Sequence, residues 1–104
     1  MPLPAGRFAN PYQRAHAAMK KPVTFICHAP EASSVYLSGD FNDWHPTALP
    51  MKRQADGAWH VVAQLEHGHH HYWFLVDGKP VLDPRAMGVA RTEQNERCSL
   101  IAVS

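Results

Sequence analysis

The chain has 104 residues and a formal net charge of +1 at neutral pH, the size of a single domain. Such a chain buries roughly 60–70% of its unfolded surface, enough for one core, and is too short for a barrel enzyme or a doubly wound nucleotide fold. The near-neutral balance argues against nucleic acid, which is bound by a clearly basic face, although eight histidines raise the charge in acid. The start, Met1-Pro2-Leu3-Pro4-Ala5-Gly6, has no apolar signal run, and no segment reaches the length of a membrane span. These features predict a cytoplasmic chain, away from membranes, in which Cys27 and Cys98 are reduced and buried.

Residues 1–20 carry three prolines and no strand alternation. They read as an N-terminal arm in one of two forms. In the first, Asn10 caps a short helix with Pro11 at its first position and Tyr12 to Met19 as its body. In the second the arm is extended. Residues 21–104 read as all-β. Val23, Phe25 and Cys27 alternate with Thr24 and Ile26, and Pro30-Glu31-Ala32-Ser33 makes a turn. In Val35-Tyr36-Leu37-Ser38-Gly39 the first and third residues share one face and Tyr36 the other. Gly39 then permits a sharp bend into Asp40, Asn42 and Asp43, whose short polar side chains bond to turn backbone. Phe41 is expected to fold back as a plug under this loop, leaving Trp44 toward solvent.

After a loop, Met51-Lys52-Arg53 is a short edge strand and Asp56-Gly57 a turn. Trp59, Val61, Ala63 and Leu65 alternate against His60, Val62 and Gln64. His67-Gly68 turns the chain into a strand in which Tyr72, Phe74 and Val76 point inward, so that His71, Trp73 and Leu75 point outward. Asp77-Gly78 turns it again, Val81-Leu82 returns, and Asp83-Pro84 stops it. Residues 85–97 are polar and irregular, and Ser99 to Val103 closes the domain. Short strands separated by X-Gly turns define an immunoglobulin-like β-sandwich. Its expected core is Phe25, Val35, Leu37, Trp59, Val61, Leu65, Tyr72, Phe74, Val76, Leu100 and Val103.

Catalytic chemistry finds no foothold. Asp40, Asp43, Glu66, Asp77, Asp83, Glu93 and Glu96 are scattered over turns, with nothing to bring two together as a glycosidase needs. A phosphate-binding glycine loop is missing. His69 and His71 share a strand face and have the chemistry to hold zinc or copper. Gly68 nevertheless places the run in a hairpin turn, where exposed histidines need no further reason. No cofactor is implied. What remains is Trp73, an outward ring flanked by His71 and Leu75. Flat ring faces suit the C–H faces of glucose, with Asn, Lys and His bonding to hydroxyls. A covering by the other sheet or by the arm is the alternative.

Val35-Tyr36-Leu37-Ser38-Gly39-Asp40-Phe41-Asn42-Asp43-Trp44 resembles the VYLSGxFNxW signature of glycogen-binding domains. These are the early-set carbohydrate-binding modules of family 48, found in the β subunit of AMP-activated protein kinase and near the N-termini of isoamylases and glycogen-branching enzymes. His70-His71-Tyr72-Trp73-Phe74-Leu75-Val76-Asp77-Gly78 resembles HxYxFxVDG, and Asp83-Pro84 the DP after it. The likeness spans about residues 21 to 103. It implies a non-catalytic α-1,4-glucan-binding sandwich whose partners are glycogen or a similar glucan, with a glycogen-metabolising enzyme or a second copy beside it. On this resemblance Trp44 matches the first platform tryptophan. Trp73 stands where kinase-type domains carry a lysine, and Pro80, beside Lys79, stands where they carry the second tryptophan. The late glucan-gripping loop reads Gln94-Asn95-Glu96-Arg97. The candidate sugar-binding residues are therefore Trp44, Trp73, Lys79, His71 and Asn95. A protein-interaction scaffold that has lost sugar binding is the second reading.

If each ring covered about 100 Å² of sugar, burial would contribute roughly 2.5 kcal/mol. Two rings would then give a dissociation constant no better than ~0.2 mM, so tight retention requires polymeric glucan.

Overall fold

The computed structural model describes residues 20–104. The two forms expected for the arm lie outside these residues, except at Lys20, which already opens the first strand. Two antiparallel sheets face each other. In the first, β1 (Lys20–His28) pairs with β4 (Ala58–Glu66), and β3 (Lys52–Arg53) pairs with the other side of β4. The second has the order β2 (Val35–Gly39), β5 (Gly68–Val76), β8 (Arg97–Val103) and β7 (Gly88–Arg91), with β6 (Lys79–Val81) also paired to β5. The result is a single-domain immunoglobulin-like sandwich.

Register follows the hydrophobic alternation. Phe25 stands opposite Val61 and Cys27 opposite Trp59, while Val35 meets Val76 and Leu37 meets Phe74. A slip of one residue would turn each of these sets toward water. Between the sheets lie Phe25, Leu37, Leu65, Tyr72 and Phe74, all buried. Each such side chain contributes about 1.5–3 kcal/mol of burial. Phe25 meets the Tyr72 ring edge-on with centroids 4.9 Å apart. Pro22 sits in β1, an edge strand, where proline is tolerated because the backbone has a ladder on one side alone.

Tyr72 carries the main polar network of the interior. Its hydroxyl donates to Asp83 Oδ2 at 2.6 Å, and the Arg85 N–H donates to Asp83 Oδ1 at 2.9 Å. The Asp83 N–H donates to Ser99 Oγ at 2.8 Å. Burial first, then the bond and charge of Asp83, push the Tyr72 hydroxyl pKa well up. At the β5–β6 turn, Asp77 (φ 49°) and Gly78 (φ 84°) are both left-handed, as a two-residue hairpin turn requires. Asp77 Oδ1 accepts the Ser33 and Ser34 amides at 2.8 and 2.9 Å, tying this turn to the loop before β2.

Four expectations need correction. Residues 85–97 are not wholly irregular, since Gly88–Arg91 forms β7, a strand too short to show alternation and fixed by its pairing to β8. The return strand is Lys79–Val81 rather than Val81-Leu82, because the two-residue Asp77-Gly78 turn starts pairing at once. Leu100 stands opposite His71 on the outward face, and it is Ile101 that packs against the core. Val61 and Val76 border the core as half-buried residues.

Candidate functional site

The site is built where β2 runs into its following loop. Asp40–Asn42 forms one 3-10 turn. Asn42 bolts it internally: its Oδ1 accepts the Gly39 N–H at 3.0 Å and its Nδ2 donates to the Leu37 carbonyl at 3.1 Å. The Trp44 N–H donates to the Gly39 carbonyl at 2.8 Å, and the His45 N–H to that of Asn42 at 3.1 Å. Phe41 packs as the plug the sequence suggested, its ring 6.2 Å from that of Phe25 and stacked on it.

Gly39 is required for a different reason than a bend. Its φ of −165° and ψ of −176° are extended, open to any residue. A Cβ there would lie 2.6 Å from the His71 carbonyl oxygen and 2.6 Å from the Phe41 ring. Close packing of the loop on β5 therefore selects glycine. The unusual backbone comes later, at Asp43 (φ 56°) and Trp44 (φ 57°). Aspartate tolerates the left-handed region, but a bulky side chain does not without support from its surroundings.

That turn brings Trp44 to Trp73. The ring centroids are 4.9 Å apart with planes inclined at 59°, and both side chains are half-buried. Trp73 stands opposite Ser38 on β2, on the sheet face away from Tyr72 and Phe74. His71, two residues along β5, shares that face, and its N–H donates to Asp40 Oδ2 at 2.9 Å. Leu75 is buried rather than exposed; Tyr36 and Pro80 flank it from both neighbouring strands.

The other two candidates are not brought to this pair. Lys79 is exposed opposite Val76, so the register assigns it to the opposite face from Trp73. Asn95 occupies the β7–β8 turn at φ 66°, donating its N–H to the Thr92 carbonyl and accepting Arg91 Nη1 at its own. Pro80, by contrast, faces the same way as Trp73 through its partner Leu75. Tyr36 was missed as a neighbour of the site. Alternation puts it on the face opposite Val35 and Leu37, but only the β2–β5 register shows that Trp73 is on that face too.

The remaining tryptophan, Trp59, is structural. Its Nε1–H donates to the Ala29 carbonyl at 2.8 Å, and Arg53 lies over its ring at 5.9 Å. Burial pushes both thiols, Cys27 and Cys98, up from their ordinary pKa, which leaves them poor nucleophiles. Among the described residues no group of three His, Cys, Asp or Glu side chains is placed to hold a metal ion. A groove of about 820 Å³ between Ile26, Phe74, Leu82 and Val89 lies away from the tryptophan pair. The site is thus an aromatic surface with polar neighbours.

The sandwich fold and the family it matches place the chain in the class of carbohydrate-recognition domains. Residues 21–104 match the family described as the glycogen recognition site of AMP-activated protein kinase, and the chain belongs to that family. It is 43% identical over 68 residues to a 1,4-alpha-glucan branching enzyme of Lactobacillus acidophilus, covering 61% of this chain and 10% of that enzyme. With a branching enzyme of Xanthomonas campestris it shares 35% identity over 75 residues, 69% of this chain and 10% of the enzyme. With the beta-1 subunit of 5'-AMP-activated protein kinase from Sus scrofa it shares 44% over 50 residues, 48% of this chain and 38% of the subunit. The chain therefore spans only about a tenth of the branching enzymes it matches.

Proposed function

We propose that the domain binds α-1,4-glucan of the glycogen type through the Trp44–Trp73 pair, and that it catalyses nothing itself. Membership of a glycogen-recognition family supports the ligand class. The single observation carrying the site is the approach of the two indoles to 4.9 Å on one face. Trp73, from the central part of β5, takes up the role of the second ring where Pro80 stands at the family's usual position. His71 and Tyr36 border the surface with polar groups able to meet hydroxyls, whereas Lys79 and Asn95 play no part in this version of the site.

The geometry also sets the strength. The rings lean on each other and are half-buried, so sugar covering is taken as about 60 Å² per ring, less than a full indole face. Burial at 25 cal/mol per Å² then gives roughly 1.5 kcal/mol per ring, or 3 kcal/mol together. That corresponds to a millimolar constant or weaker for a short oligosaccharide. Retention on glycogen would rest on many sites along the polymer. A glycogen-metabolising enzyme, in the same polypeptide or a separate one, is the natural beneficiary.

Co-sedimentation with glycogen tests this. Wild type at tens of micromolar is expected in the pellet, and Trp44→Ala and Trp73→Ala in the supernatant. A wild type that stays in the supernatant, or variants that pellet equally, would overturn the proposal.

A further inference from the structure

Strand β2 ends at Gly39, opposite Tyr72. One position further along β5 its backbone is no longer there to meet His71. The His71 N–H donates instead to the Asp40 carboxylate, at 2.9 Å from Oδ2. The other oxygen, Oδ1, lies 3.3 Å from His70 Nδ1, while His70 Nε2 donates to the Glu66 carbonyl at 2.8 Å. The His70 ring also meets the ring of Phe41 edge-on, centroids 6.0 Å apart. A single side chain at the start of the loop therefore touches two consecutive residues of the strand that carries Trp73.

The loop does not need Asp40 for its own shape. Asn42 already closes the turn on Gly39 and Leu37, and the Trp44 N–H closes it on Gly39. What Asp40 adds is attachment across to β5. Trp44 stands at φ 57°, a conformation kept by a bulky residue only when the surroundings over-determine it. We propose that Asp40 is a positioning residue: it fastens the left-handed turn holding Trp44 to the strand holding Trp73, so that the two indoles form one surface before ligand arrives. This rests on the reading of the tryptophan pair as the glucan surface.

The test compares wild type, Asp40→Ala and Asp40→Asn by circular dichroism and by glycogen co-sedimentation. Two indoles this close give an exciton couplet, which Trp73→Phe abolishes as a control. Alanine removes both contacts. Asparagine keeps the bond to the strand, its carbonyl accepting the His71 N–H, and its amide donates to Nδ1 of the neutral His70 ring, where the carboxylate needs Nδ1 protonated. Asp40→Ala is expected to lose most of the couplet. If only about a fifth of molecules then hold the paired arrangement, apparent affinity falls about fivefold. Asp40→Asn is expected to keep both signals near wild type.

A wild-type couplet in Asp40→Ala overturns the proposal. So does an Asp40→Asn as damaged as alanine, or an alanine variant that keeps its couplet but loses binding, since Asp40 would then act on the ligand directly. If wild type fails to bind glycogen, the glucan reading falls, and the couplet comparison still decides the positioning role. Should Asp40→Ala not fold, amide exchange of wild type decides instead. A slowly exchanging His71 N–H supports the fastening, and exchange at the rate of an unstructured chain overturns it.

Discussion

Gly39→Ala separates two reasons for keeping a glycine. The backbone there is extended, so alanine meets no conformational penalty. The added Cβ would lie 2.6 Å from the His71 carbonyl oxygen, with Phe41 ring carbons at 2.6 and 2.8 Å. A ring can pivot, but the carbonyl belongs to β5 and is held by its neighbours. Overpacking of this kind costs about 1–3 kcal/mol. With roughly 4–8 °C per kcal/mol for a domain of this size, a mid-range 2 kcal/mol lowers Tm by about 8–16 °C. Gly78→Ala is the contrast. It has nothing within 4 Å but a φ of +84°, so only the left-handed backbone resists, at about 1–2 kcal/mol. Urea unfolding of both variants, with co-sedimentation alongside, is the assay. Gly39→Ala is expected to lose glycogen binding along with stability, because the loop carrying Trp44 must lift off β5. Gly78→Ala is expected to bind normally. A Gly39→Ala domain within about 0.5 kcal/mol of wild type would refute the close-packing argument.

Further outcomes follow from the interior. Ser38 is 1% exposed and its Oγ has no hydrogen-bond partner among the described residues. Removing an unsatisfied hydroxyl recovers its desolvation cost, so Ser38→Ala is expected to stabilise by about 1 kcal/mol in urea unfolding. The domain is also expected to weaken in alkali. The thiols of Cys27 and Cys98 are raised above 9.0 and the Tyr72 hydroxyl above 10.0 by folding, so the native state holds these protons after the unfolded chain has released them. Stability is then full below about pH 9 and falls above it, by about 1.4 kcal/mol per pH unit for each group engaged. Tyr72→Phe should flatten the loss beyond pH 10 and lower stability at pH 7 by about 1–3 kcal/mol through the orphaned Asp83 oxygen. Unfolding midpoints from pH 7 to 11 check both statements.

The sandwich was legible because its strands alternate cleanly. Phe25, Leu37, Trp59, Tyr72 and Phe74 were assigned inward from period alone, and all are buried. Asp77-Gly78 announced its turn by composition. The errors arose where a partner strand decides. Gly88–Arg91 has no pattern of its own and becomes β7 only against β8. Leu100 and Ile101 are equally apolar neighbours, and the β5–β8 register chooses between them. The site divided in the same way. Trp44 and Trp73 were both visible as outward rings, yet 29 positions separate them in the chain. Their contact depends on the Ser38–Trp73 register and on a left-handed tryptophan. Lys79 was placed beside the site by its closeness to Pro80 in sequence, and the alternation of β6 carries it to the other face. Asp40 read as a turn residue, and its reach to His70 and His71 is a tertiary fact with no local signal.

The most direct measurement follows the indole N–H resonances of Trp44, Trp59 and Trp73 while maltoheptaose is added. The Trp44 and Trp73 signals are expected to shift along one common binding curve in the millimolar range. The Trp59 signal, from an N–H bonded to the Ala29 carbonyl, is expected to stay still. Shifts confined to Trp59, or none in Trp44 and Trp73 at saturating sugar, would contradict a paired-indole glucan surface.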